Sequence, residues 1–184
     1  AGFQEIISYS LTTAEQLSKV LPDGHLENYP PMSLQYPLSS ERAVLRTSLR
    51  HSLLETASQQ LKEDTRQVAI FEMAPIYLKN KSDHHTEKQM LCAAVLGHEL
   101  DRWGQPTDIT FDFFRAKGLL DSALAGLRLD YKYVETSNSD TSAEITYGFS
   151  NSILVCHKGE PFGVIGDVRA DIADEFGIEI PDDA

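Results

Sequence analysis

At 184 residues, the chain is long enough for one domain with a sizeable core and short for two. Its 28 acidic against 16 basic residues give a net charge of −12. This argues against a main nucleic-acid grip, because binding phosphates and releasing their counterions needs a basic surface. No apolar run approaches the ~20 residues of a membrane span and no secretory pattern opens the chain, so a cytoplasmic protein without a membrane segment is expected.

Phe3 to Leu11 alternates β-branched and aromatic residues and predicts a strand. Thr13 followed by Gln16 is a capping box, opening a helix with Leu17, Val20 and Leu21 on one face. That helix stops at Pro22-Asp23-Gly24, and prolines 22, 30, 31 and 37 predict extended chain over 22–39, with a short strand at Met32–Gln35. Thr47 or Ser48 is expected to cap a helix whose apolar stripe is Leu49, Leu53, Leu54, Ala57 and Leu61. Val68–Leu78 reads as a long strand with Pro75 at an edge or bulge. The polar segment Lys79–Lys88 then joins it to an antiparallel partner, Met90–His98. Asp112 caps a third amphipathic helix through Leu127. Four short strands are expected at Tyr131–Glu135, Ala143–Tyr147, Ile153–His157 and Gly163–Val168, and an acidic helix at Ala170–Phe176. The fold class is α+β, a largely antiparallel sheet flanked by helices in one domain over 1–184.

Few residues invite chemistry. Cys92 and Cys156 sit in apolar strand-like runs and read as buried, reduced thiols rather than a disulfide or a zinc site. Asp83-His84-His85-Thr86-Glu87 has adjacent histidines that diverge in an extended loop, with no further ligand at metal spacing, so an exposed hairpin tip is expected. His98, Glu99 and His157 end strands and read as rim residues. Asp167, Asp171, Asp174, Glu175, Glu179, Asp182 and Asp183 crowd the end of the chain against one base, Arg169, as a solvated face does. Arg42, Arg46 and Arg50 recur every fourth residue. On a helix they would form a basic stripe for RNA or an acidic partner, and otherwise they pair locally with Glu41 and other carboxylates. Gly118, flanked by good helix formers, is expected to permit close approach of another backbone, making Gly118→Val strongly destabilising.

Residues 36–54, Tyr-Pro-Leu-Ser-Ser-Glu-Arg-Ala-Val-Leu-Arg-Thr-Ser-Leu-Arg-His-Ser-Leu-Leu, carry the most specific pattern. Their order resembles the "N-P-L-S-x-E-x-x-x-L-R-T-S-L" signature of the β subunit of bacterial-type phenylalanyl-tRNA synthetase. Four further segments fit that family in register: Gly2–Leu11 ("G-F-x-E-x-x-x-Y-S-L"), Phe71–Tyr77 ("F-E-I-G-x-V-Y"), Trp103 with Asp112–Gly118 ("W … D-F-F-D-L-K-G") and Gly163–Arg169 ("G-x-x-G-E-L-H-P"). Together they span residues 2–177. Tyr36 stands where the family has Asn, Arg50-His51-Ser52 where it has Pro-Gly, Ala74 for Gly, Arg115 for an acid and Arg169-Ala170 for His-Pro. Its "H-P-G" segment has no counterpart near residues 138–142.

The resemblance implies the topology of a class II aminoacyl-tRNA synthetase catalytic domain in a subunit without the catalytic groups. It implies a fragment of a longer β subunit, with a last strand missing and a sheet edge open to weak self-association. The implied role is structural, in an (αβ)₂ assembly whose α subunit attaches phenylalanine to tRNA using ATP and Mg²⁺, while other β domains contact tRNA. No catalytic, cofactor or metal residue is expected in this chain. A class II site clamps ATP with arginines, because charge neutralisation dominates phosphoryl-type chemistry. The strand Phe71–Tyr77 has none, its nearest being Arg66. Arg169, after Gly163-x-x-Gly166, stands between Asp167 and Asp171, which repel phosphate. The alternatives are a stand-alone, synthetase-derived regulatory or binding domain and an active class II ligase.

Overall fold

A computed structural model describes residues 2–63, 67–79, 84–100, 103–135 and 145–180. The chain divides into two compact units, Gly2–Ala94 and Val95–Ala184.

In the first unit, β1 (Gln4–Glu5) lies parallel on β4 (Gln67–Lys79), with Gln4 opposite Ile70, and β5 (His85–Leu100) neighbours β4 on the other side. β2 (Leu11–Thr12) and β3 (Val44–Leu45) form a small antiparallel pair. Thr13 caps α1 (Ala14–Ser18) as expected, its hydroxyl accepting from the Gln16 amide at 3.1 Å. Leu17 and Val20 are buried. The stretch after Gly24 is not all extended: a short helix α2 (His25–Asn28) starts where Gly24 takes a left-handed φ of 73°. The strand expected at Met32–Gln35 shrinks to a single bridge, Ser33 with Val44.

The Phe3–Leu11 strand is broken in two, and the reason lies at Ser8. Its amide and hydroxyl both donate to Glu72 instead of to a backbone ladder. Helix α3 (Arg50–Lys62) packs on β4, its stripe Leu49, Leu53 and Ala57 facing Val68 and Ile70, all buried. Neither Thr47 nor Ser48 is the N-cap residue; Leu49 is, and the Ser48 hydroxyl accepts from the Arg50 amide at 3.2 Å. Residues 80–83 of the expected hairpin tip lie outside the described residues.

In the second unit, the end of β5 pairs antiparallel with β6 (Pro106–Thr110), with a bulge between His98 and Leu100. Asp112 caps α4 (Phe113–Gly126), its carboxylate accepting from the Arg115 amide at 2.7 Å. β7 (Lys132–Glu135), β8 (Phe149–His157) and β9 (Glu160–Val168) form an antiparallel meander. Helix α5 (Ala170–Glu175) closes the unit, burying Ile172 and Ala173 and exposing Asp171, Asp174 and Glu175. The strand expected at Ala143–Tyr147 is not formed: 145–146 are helical and 143–144 lie outside the described residues. Antiparallel pairing dominates, the parallel β1–β4 contact being two residues long. No described helix is long and apolar enough to cross a membrane.

Gly118 is a correction. A Cβ built there meets nothing within 4 Å among the described residues, so no described backbone closes on it. Gly118→Ala should therefore stabilise the protein by about 1 kcal/mol, the helix-propensity difference. A fall in the urea midpoint would show a contact on that face.

Candidate functional site

Among the described residues, a buried polar cluster stands out in the first unit that pattern reading did not single out. Arg46 and Glu72 are both 2% exposed and joined by an ion pair of 3.0 Å. Arg46 Nη1 also donates to the Ser8 hydroxyl at 2.9 Å, and its Nε to the Pro75 carbonyl at 3.0 Å. The Ser8 hydroxyl donates onward to the second Glu72 oxygen at 2.7 Å, and the Ser8 amide to the first at 3.1 Å. Both carboxylate oxygens and two of the three guanidinium nitrogens, Nε and Nη1, are thereby engaged, as a buried ion pair requires. The Tyr77 amide, donating to the Arg46 carbonyl at 2.9 Å, ties β4 to the same residue. Pro75, lacking an amide hydrogen, uses its carbonyl here. One signal in the sequence marks the site: Glu72 alternates with Val68 and Ile70 on the core face of β4, where a carboxylate needs a partner.

The three spaced arginines therefore form no stripe. Residues 42–50 are not one helix but a 3₁₀ turn (Ser40–Arg42), β3 and the start of α3. Arg42 is exposed, its guanidinium 3.5 Å above the Tyr9 ring. Arg46 is in the core, and burial lowers the pKa of Arg50. Of the carboxylate pairing expected as the alternative, Arg46 has Glu72, and no pair with Glu41 is among the described ion pairs.

His51, 3% exposed, lies near this cluster. Desolvation, then the charge of Arg46, pushes its pKa down to about 4. Its Nε2 shares a hydrogen bond with the Ser52 hydroxyl at 3.1 Å. A folded pKa below the ordinary value of about 6.5 means that the unfolded chain takes up the proton first. The stabilisation by neutral His51 is complete above about pH 6.5 and is lost as pH falls toward 4, to the extent of about 3 kcal/mol. His51→Gln should flatten that part of the stability–pH curve. Parallel curves for the two proteins between pH 7 and 4.5 would show that His51 charges freely in the folded state.

Both cysteines are free, Cys156 buried and Cys92 part-exposed as a residue. Burial pushes the Cys92 thiol up to about 11, against the pull of nearby Arg50, so it stays protonated and unreactive at neutral pH. In the second unit, Arg169 forms a two-toothed pair with Asp171 and stacks on Tyr147 at 5.7 Å. Arg115 pairs with Glu99. Asp121 accepts from the hydroxyls of Tyr131 at 2.6 Å and Tyr133 at 2.5 Å and from Lys117 at 2.9 Å. These bonds, that of Tyr131 foremost, hold its carboxyl down at about 2. This cluster joins α4 to β7 and has every partner satisfied. His157 Nδ1 is bonded to the Asp130 carbonyl. Among the described residues no group of three or more His, Cys, Asp or Glu side chains is placed to hold a metal.

Comparison with known proteins adds a family. The model of a family described as the phenylalanyl tRNA synthetase beta chain CLM domain matches residues 1–181. A phenylalanine–tRNA ligase beta subunit from Dehalococcoides mccartyi strain 195 is 34% identical over 180 residues, covering 98% of this chain and 21% of that protein. The same-named subunit of Geobacillus kaustophilus is 30% identical, with 97% and 21% covered. The chain thus spans about a fifth of the length of these relatives. In fold it is similar to the structure of Desulfitobacterium hafniense PylSc, a pyrrolysyl tRNA synthetase, with a TM-score of 0.66 at 18% identity over 97% of this chain and 57% of that one.

Proposed function

Because the chain belongs to the phenylalanyl-tRNA synthetase β-chain family, we propose that it is a non-catalytic structural module that helps an α/β synthetase assemble. In that complex the partner α subunit performs the ATP-dependent attachment of phenylalanine to tRNA in the cytoplasm. The fold similarity to a class II synthetase supports a domain of the catalytic type in topology. The disposition of its arginines supports loss of the chemistry. An adenylate-forming site turns arginines toward a cleft to neutralise phosphates. Here Arg46, the arginine bonded to β4, points into the core and is neutralised by Glu72. Arg169 is neutralised by Asp171 and Arg115 by Glu99. The first of these carries the reading: the guanidinium bonded to the Pro75 carbonyl of β4 is part of the scaffold.

Calorimetric titration with ATP and Mg²⁺ tests this. The expected result is no heat of binding in the micromolar range and no pyrophosphate exchange. Micromolar binding that Arg169→Ala abolishes would restore the ligase reading.

A further inference from the structure

We infer that the first unit binds a single internal water at the start of α3, held between the Thr47 hydroxyl and His51 Nδ1.

Among the described residues, two buried side-chain polar atoms have no protein group bonded to them, Thr47 Oγ1 and His51 Nδ1. They lie four positions apart where the chain enters α3, and that coincidence points to one shared partner. Thr47 is 9% and His51 3% exposed, so bulk solvent does not serve either atom. Polar groups left unbonded in a core are costly, which is why nearly all of them are satisfied.

Local geometry brings the two groups together. His51 is in the first turn of α3, where side chains lean back toward the helix N-terminus. Its ring lies against the Ser48 backbone, next to Thr47, yet Nδ1 meets no group there in hydrogen-bonding geometry. The Ser52 hydroxyl occupies the other ring nitrogen, Nε2, and the Ser48 hydroxyl already accepts from the Arg50 amide. No side chain caps the helix at Leu49.

Charge selects the occupant. Arg46 and Glu72 both act on His51, but they are paired with each other at 3.0 Å. An anion would need a cation of its own, and the imidazole is neutral at neutral pH. A cation would need a carboxylate, and both Glu72 oxygens are engaged. A buried charge without a partner is too costly to hold. Water is neutral and both donates and accepts, which suits a hydroxyl and an imidazole nitrogen. Internal waters make roughly two to four hydrogen bonds, and these two groups supply the minimum. The resulting chain runs from the Ser52 hydroxyl through the imidazole and the water to Thr47. It fastens the uncapped start of α3 to the residue that follows Arg46.

Magnetisation transfer from long-lived water to protein protons, measured by nuclear magnetic resonance on the 184-residue chain, tests this. Cross-peaks from one such water should reach both the Thr47 methyl and the His51 ring protons. Thr47→Val, nearly the same in shape, should remove the His51 cross-peak and lower the urea midpoint, because it strands Nδ1. Thr47→Ser keeps the hydroxyl and should retain that cross-peak. Absence of both cross-peaks in the native protein would overturn the inference, as would a His51 cross-peak that survives Thr47→Val. So would a midpoint raised by Thr47→Val, the result expected of a hydroxyl buried with no partner at all.

Discussion

Arg46→Met should destabilise the protein by about 3–5 kcal/mol, because it strands the Glu72 carboxylate in the core without its countercharge. The loss spreads beyond the pair. The Pro75 carbonyl loses its donor, and the Ser8 hydroxyl loses the bond that holds the N-terminal segment against β4. Arg46→Met combined with Glu72→Leu should recover much of the stability, since a buried ion pair replaced by apolar groups of similar size is often neutral. Urea titrations of the two single variants and the double form a cycle that isolates the coupling. A shift below about 1 kcal/mol for Arg46→Met would mean that the guanidinium reaches water.

Gly166→Ala should cost about 3 kcal/mol or more, although the residue added is small. A Cβ at 166 would sit 2.7 Å from the Ser152 Cβ and closer still to the Asn151 carbonyl oxygen, and backbone cannot swing aside. The cause is a bulge: the β8–β9 register shifts between Phe149 and Asn151, which pushes β8 over Gly166. Gly163 in the same strand is the internal control. A Cβ there meets the Val155 Cβ at 3.8 Å, an ordinary contact, so Gly163→Ala should change stability little. Equal denaturation midpoints for the two alanine variants would contradict this account of the sheet.

Much of this was legible in the sequence, and the failures have specific causes. Helices with strong caps and stripes were found where expected, because Thr13, Asp112 and the Leu49–Ala57 stripe each report local geometry. Strand lengths were misjudged at Phe3–Leu11, where a side chain 64 positions away claims the Ser8 amide, which no local pattern records. The same holds for the glycines. Helical context pointed to Gly118, while the close approach occurs at Gly166, where it depends on a bulge in the neighbouring strand. Spacing would put Arg42, Arg46 and Arg50 on one face only if the stretch were helical; a turn and a strand intervene before α3 begins, and the middle one turns into the core to pair with a carboxylate, Glu72. The family pattern was the most informative part, since five segments in register fix a fold that short motifs cannot.

Sedimentation of the chain with a phenylalanyl-tRNA synthetase α subunit, in parallel with phenylalanine tRNA, tests the proposed assembly role most directly. At about 200 mM salt, where weak electrostatic contacts to nucleic acid fade, the chain should co-sediment with the α subunit and leave the tRNA free. An interface of about 2,000 Å² or more is the size expected of a permanent complex. A chain that ignores the α subunit and holds the tRNA through that salt would contradict the structural-module account.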